Sequence, residues 1–242
     1  MKTPLRLSIL ALSLLLLFSC QTEKSGDPAS ASGKGGSMAR FTIYNNYLYT
    51  VDQQKLNVFN LTNAEKPVFV KDLQSGFDIE TIFVNNNTLF LGSQWGMYIF
   101  DISEPTNPVN LSFFQHIYSC DPVVANDTLA YLTMRTETFC GRNTNELQVI
   151  DIRNRAKPQL VSSITMTKPF GLGLDGDKLF VCDNGLKLFS LTDPLHPVLV
   201  NTFSIPAIDV IPDNNLLMVL ATDGLYQYQY ENNTVTLISH LQ

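Results

Sequence analysis

Short apolar segments alternate with tight polar turns through most of the chain, and one such stretch recurs in a fixed register. It runs Gly96-Met97-Tyr98-Ile99-Phe100-Asp101-Ile102 and ends in a loop at Pro108. It returns at Lys55 to Pro67, Glu146 to Pro158 and Gly185 to Pro197. In each copy a polar residue (Asn60, Asp101, Asp151, Ser190) stands seven places before the proline. A fifth copy at Leu225 lacks the loop and turns through Asn232-Asn233. Self-similarity at a fixed period decides the architecture before any local propensity does.

Each copy begins with an apolar segment and a turn: Asn45-Asn46, Asn86-Asn87, Asn126-Asp127, Gly176-Asp177 and Asn214-Asn215. These residue types tolerate the positive φ that two-residue hairpins require. A second strand follows, the recurring stretch supplies a third, and a fourth starts at the loop proline. Leu56, Met97, Leu147, Leu186 and Leu225 share one place in strand three, at intervals of 41, 50, 39 and 39 residues. The pattern predicts an all-β protein, a five-bladed β-propeller of four-stranded antiparallel blades over residues 38–242. Phe41 to Tyr44 gives the first blade its own first strand, and Thr234 to Ile238 gives the fifth its own fourth. The ring is therefore expected to close without an exchanged strand. A β-sandwich is the alternative, but it leaves four prolines in one register unexplained.

The register has a physical reason. Asp, Asn or Ser at a strand end accepts backbone N–H groups of the following turn. A proline at the start of an outer strand removes a donor where an edge tolerates the loss.

The segments Leu-Gln-Val-Ile-Asp-Ile at 147–152 and Met-Tyr-Ile-Phe-Asp-Ile at 97–102 resemble the LVIVD-repeat β-propellers of bacterial surface proteins. The Asp-Pro-x-x-Pro-x-x-Val form from Asp193 to Val200 is similar to the same family. The likeness covers residues 38 to about 231 and weakens in the last copy. It implies a propeller outside the cytoplasm and no established activity.

The N-terminus is a different object. Lys2 and Arg6 precede a twelve-residue, mostly apolar run, Leu7 to Phe18. Spanning a bilayer takes ~20 residues, so residues 1–20 read as a signal peptide. Its end, Leu17-Phe18-Ser19-Cys20, resembles a bacterial lipobox, with Phe18 bulkier than usual. Cys20 is the expected lipidation site, and residues 21–37 are the expected polar, Gly/Ser-rich tether. The expected location is the cell envelope, anchored to a bacterial membrane, with the outer membrane or cell surface favoured. Removing Lys2 and Arg6 takes the net charge from −6 to −8, which argues against nucleic acid as a partner.

The third copy breaks the period. Leu129 and Leu147 are 18 residues apart, where the other copies need seven or eight. The surplus carries Arg135, Cys140 and Arg142 on the face that also receives Asp78, Glu80, Trp95, Asp121, Asp183 and Asp209. Loops on a rigid scaffold are the usual place for binding residues. The two arginines are candidates for a carboxylate or sugar acid, Trp95 for stacking, and the acids for a ring at the channel mouth. Solvated loop ends and turn caps are the alternative. Three cysteines remain once Cys20 is lipidated, and three pairings or three free thiols are open to them. Cys120 and Cys140 belong to one blade and one face, so they are the expected disulfide. Cys182 is the expected buried thiol.

The histidines, His116, His196 and His240, show no metal-ligand spacing, and no phosphate loop or nucleophile elbow occurs, so no metal or cofactor is expected. The expected function is a monomeric, non-catalytic binding or scaffolding module for a protein or saccharide. The alternative is a propeller hydrolase or lyase acting on a saccharide, with paired acids on the loop-rich face.

Overall fold

The computed structural model describes residues 34–116, 122–135 and 144–242, all within one unit, Ala31–Gln242. Cys20, Cys120, Asp121, Cys140 and Arg142 lie outside the described residues. Twenty strands form five four-stranded sheets, every pairing antiparallel and every strand beside its neighbour in sequence. Sheet one holds β1 (Phe41–Tyr44), β2 (Tyr47–Val51), β3 (Lys55–Asn60) and β4 (Val68–Gln74). Sheet two holds β5 (Ile79–Asn85), β6 (Thr88–Ser93), β7 (Gly96–Asp101) and β8 (Val109–Gln115). Sheet three holds β9 (Val123–Ala125), β10 (Leu129–Arg135), β11 (Asn145–Asp151) and β12 (Gln159–Thr165). Sheet four holds β13 (Pro169–Asp175), β14 (Lys178–Asp183), β15 (Leu186–Ser190) and β16 (Val198–Phe203). Sheet five holds β17 (Ala207–Asp213), β18 (Leu216–Ala221), β19 (Gly224–Glu231) and β20 (Thr234–Leu241).

The turns follow their residues. Asn45-Asn46, Asn214-Asn215 and Asn232-Asn233 hold positive φ at both places, between 48° and 66°. The third sheet departs from the expectation of a positive-φ turn at Asn126-Asp127. Its connection is three residues long, and the Asn126 side chain instead accepts the N–H groups of Thr128 and Leu129.

The repeated polar residue does the job its position predicts. Asn60, Asp101, Asp151 and Ser190 each accept the backbone N–H two residues on. Each loop then closes a second turn, Lys66 to Asn63, Asn107 to Glu104, Lys157 to Asn154 and His196 to Asp193. The hydroxyl and N–H of Ser103 hold the Asp101 carboxyl below the usual carboxylate range, and the Arg153 guanidinium does so for Asp151.

Every third–fourth strand pair carries one register shift, at Val58/Phe59, Ile99/Phe100, Val149/Ile150, Leu188/Phe189 and Gln227/Tyr228. A bulge re-aims side chains. In sheets one to four the residue after the extra one reaches the following sheet: Lys71 to Asn107, Ser112 to the Arg155 carbonyl, Ser162 to the Leu195 carbonyl, and Asn201 to the Asn233 carbonyl. The Tyr49 and Tyr131 hydroxyls donate 3.0 Å bonds to the Pro105 and Pro194 carbonyls of the next sheet. Burial pushes the Tyr131 phenol up to about 12.

Four apolar clusters join sheets one to two, two to three, three to four and four to five. All six residues of β6 are buried, because sheet two is covered on both faces. Strand β18 alternates, with Leu216 and Leu220 at 39% and 50% exposure. Among the described residues, no apolar cluster joins sheets five and one, and Ser239 bonds Gln227 of its own sheet. The contacts there are polar and come from the lead-in to β1. Ser37 Oγ donates to Asp209 Oδ1 at 2.9 Å, Met38 N donates to Asp209 Oδ2 at 3.2 Å, and Leu172 N donates to Ser37 Oγ at 2.8 Å. Gly36 and Ser37 are buried, so the Gly/Ser run no longer behaves as a tether there. A Cβ at Gly36 would stand 2.2 Å from Asp209 Oδ2, and one at Gly171 2.1 Å from Asp209 Oδ1.

Truncating Phe100, which is fully buried between sheets one and two, is expected to cost about 3–5 kcal/mol in urea unfolding. Truncating Val198, 61% exposed on β16, is expected to cost under about 0.5 kcal/mol. Equal costs would show that the faces between sheets hold no special share of the stability.

Candidate functional site

Residues at or just before the starts of β1, β5, β9 and β13 come together around one space. A cavity of about 310 Å³ opens there, lined by Met38, Arg40, Glu80, Pro122, Arg135 and Phe170, among others. The Arg135 guanidinium carbon lies 4.1 Å from the Phe170 ring centre, and the Lys168 ammonium lies 5.7 Å from it. Cations over an aromatic face are held by the ring quadrupole. Phe170 is fixed from behind, since its carbonyl accepts the Thr133 hydroxyl. Arg40 Nη2 donates to the Ile79 carbonyl at 3.4 Å, which places that guanidinium on sheet two. Glu80 Oε1 accepts from Gln94 Nε2 at 2.7 Å.

Of the sequence-predicted residues, Glu80 and Arg135 line this cavity. Asp78 and Trp95 are bonded to each other, with Trp95 Nε1 donating to Asp78 Oδ2 at 3.0 Å. Trp95 stays 45% exposed, and Phe77 beside Asp78 is 61% exposed. Asp183 and Asp209 serve elsewhere. Asp183 is fully buried and accepts the N–H groups of Thr167 and Lys168 and the Lys187 ammonium. Asp209 holds the lead-in segment, accepts its own sheet's Val210 N–H, and has its carboxyl pushed up by burial. Cys182 is a buried free thiol, raised by burial and then by the Asp209 charge.

Arg40, Lys168 and Phe170 are functional candidates that the sequence reading missed. A signal existed. They occupy the strand-one starts of sheets one and four, the same register as Glu80, where only acids drew notice. Among the described residues, no three His, Cys, Asp or Glu side chains gather as a metal site, and no helix is long and apolar enough to cross a membrane.

The LVIVD repeat model matches residues 80–114 and 138–166, which carry the third-strand and loop pattern of sheets two and three. The chain carries LVIVD repeats. No curated protein matches it. Among solved structures, it resembles a functionally unknown protein from Desulfotomaculum acetoxidans, with a TM-score of 0.64 and 13% identity over 80% of this chain and 65% of that one. The Pseudomonas aeruginosa periplasmic gluconolactonase gives a TM-score of 0.58 at 13% identity, over 82% of this chain and 67% of that one. A Bacteroides uniformis protein described as a candidate 6-phosphogluconolactonase gives 0.63 at 12% identity, over 81% and 68%. The LVIVD-repeat chain thus spans about two thirds of the length of these propeller-like structures, and at such identities the likeness concerns the fold.

The raised Asp209 carboxyl carries a signed expectation. The folded state holds that proton more tightly than the unfolded chain, so its contribution is full below the ordinary carboxylate pKa of about 4. It is lost as pH rises through the folded-state value. Asp209→Asn is expected to lose less stability than the unaltered protein between about pH 4 and pH 7, measured by urea unfolding along a pH series. Parallel pH profiles would refute this.

Proposed function

We propose that this LVIVD-repeat protein is a non-catalytic binding module of the cell envelope, with the Arg40–Arg135–Phe170 cavity as its binding surface. The observation that carries the reading is the division of labour among charges at this end. Arg40, Arg135 and the Phe170 ring line one cavity, while Asp78, Asp183 and Asp209 are each bonded to the protein itself. Paired catalytic acids need facing carboxylates about 5–10 Å apart with a substrate between them. Asp78 is tied to Trp95, Asp183 to Lys187, and Asp209 to Ser37.

The five sheets are, in this reading, the blades of a five-bladed propeller. Its fifth junction is held by the Gly36–Met38 strap on Asp209 in place of a sheet-on-sheet core. The ligand is a protein or a saccharide, and the protein acts as a monomer. The competing reading is a hydrolase or lyase acting on a saccharide, favoured by the fold likeness to the Pseudomonas aeruginosa gluconolactonase. Glu80 is then the acid with the best access. Incubation with sugar lactones and envelope oligosaccharides separates the two. Unchanged substrate with saturable binding is expected, and turnover abolished by Glu80→Gln would overturn the module.

Two further expectations follow from the sequence. Cys20→Ser should move the protein from the membrane to the soluble fraction or leave it unprocessed, and unchanged membrane attachment would sink the lipid anchor. Peptide mapping without reduction should recover Cys120 and Cys140 as one linked peptide. A loop of about 20 residues closed in this way contributes about 3 kcal/mol in the chain-entropy picture, and separately alkylated peptides would end the pairing.

A further inference from the structure

We propose that a second groove, between sheets four and five, binds a small apolar monocarboxylate, with its apolar body on Phe170 and Ile208 and its carboxylate at Lys168. The groove has a volume of about 530 Å³ and shares only Phe170 with the lining of the first cavity. It therefore goes beyond the binding surface proposed above and does not depend on it. Two irregular strands build the site. Among the described residues, register shifts interrupt the first–second strand pairs of sheets two, four and five, and leave Glu80, Phe170 with Gly171, and Ile208 out of step. The corresponding pairs of sheets one and three run regularly. A bulge re-aims a side chain. On β17 it puts Ala207 and Val210, three residues apart, into one apolar cluster, and Ile208 between them lines the groove.

The groove is held from several sides. A Cβ at Gly171 would stand 2.9 Å from Asp209 Cα, so the two bulged strands lie against each other at that glycine. On one rim Asp183 accepts the N–H groups of Thr167 at 3.0 Å and Lys168 at 2.5 Å. On the other, Thr222 N donates to the Pro206 carbonyl at 3.3 Å and Ala207 N to the Ile205 carbonyl at 2.7 Å. Phe170, Pro206, Ala207 and Ile208 make the walls apolar, and such walls favour an apolar body over water. Among the described residues, Lys168 is the one charged side chain in the lining, and no carboxylate pairs with it. The acid beside it, Asp183, is bonded to Lys187. The Lys168 ammonium lies 5.7 Å from the Phe170 ring centre, so one charge stands at the edge of an apolar wall. An ammonium carries three donors and no acceptor, which suits a carboxylate whose apolar body lies along that wall. The volume falls within the ~300–1,000 Å³ range of ligand pockets.

Calorimetric titration of the full-length protein in lipid nanodiscs tests this, with empty nanodiscs as the blank. The probes are 3-phenylpropionate, 3-phenylpropanol, 3-phenylpropylamine and acetate. Phenylpropionate is expected to saturate and to bind about threefold more tightly than the alcohol, the worth of one exposed ion pair. Acetate, which lacks the apolar body, is expected to bind at least about tenfold more weakly. Lys168→Gln should erase the gap between acid and alcohol at an unchanged melting temperature. Ile208→Thr should weaken acid and alcohol alike, by about threefold or more. Alcohol or amine binding as tight as the acid overturns the carboxylate, and acetate binding as tight overturns the apolar body. An acid–alcohol gap that survives Lys168→Gln, or affinities unchanged in Ile208→Thr, place the binding elsewhere and overturn the site. Phenylpropionate that gives no saturable heat overturns the whole assignment.

Discussion

A proline just before the outer strand of sheets one to four and a polar side chain seven residues earlier fix one loop shape four times over, and the packing of the sheets hangs on that loop. The pinned turns in sheets two, three and four present acceptors, the Pro105, Arg155, Pro194 and Leu195 carbonyls and the Asn107 side chain, toward the sheet before them. The bulge beside each loop then aims Lys71, Ser112 or Ser162 at the acceptor. The apolar faces supply most of the free energy, but they are non-directional. The hydrogen bonds between a bulge and the next turn fix which sheet lies against which, and at what height.

The same devices explain why the chain's two ends behave differently from its middle. Sheets two and three have a pinned turn ahead, sheet four has the Asn232-Asn233 turn, and all three have a cluster on each face. Sheet five has a bulge, yet Ser239 turns back to Gln227, and Leu220 stays half exposed. Sheet one shows the matching change at Thr50 and Asn57, which bond each other where sheet two has Leu91 and Tyr98 packed in its core. The sheet-one face is thus more polar than its counterpart, while sheet five leaves Leu216 and Leu220 partly exposed. Gly36 and Gly171 are then read together: each gives up a side chain so that Asp209 fits between the lead-in and β13.

Much of this was legible in the sequence because it is local. Sheet number, strand order, turn sites and the role of Asn60, Asp101, Asp151 and Ser190 each depend on residues a few places apart. The consecutive apolar runs Val68-Phe69-Val70 and Val198-Leu199-Val200 also held a clue to the bulge, since strict alternation cannot bury all three. The strap was not legible. Ser37 is 172 residues from Asp209 and 135 from Leu172, and composition alone makes Gly35-Gly36-Ser37 look like tether. The acids part ways for the same reason. Spacing placed Asp78, Glu80, Asp183 and Asp209 at one end, but their partners decided their roles, and Lys187, Trp95, Gln94 and Ser37 carry no motif.

What separates the cavity from the structural polar groups is therefore the direction in which each bond is spent. Asp183 uses two backbone N–H groups and one ammonium to fix the approach to β13, and so fixes Lys168 and Phe170 at its start. Thr133 fixes the Phe170 backbone from β10, and Phe170 in turn carries Arg135 of that strand. The chain of support runs from a buried carboxylate through backbone to an aromatic ring and ends at the guanidinium over that ring, beside the cavity. Rigid strands position such a site more closely than loops do, because every side chain behind it is held by packing or by a hydrogen bond.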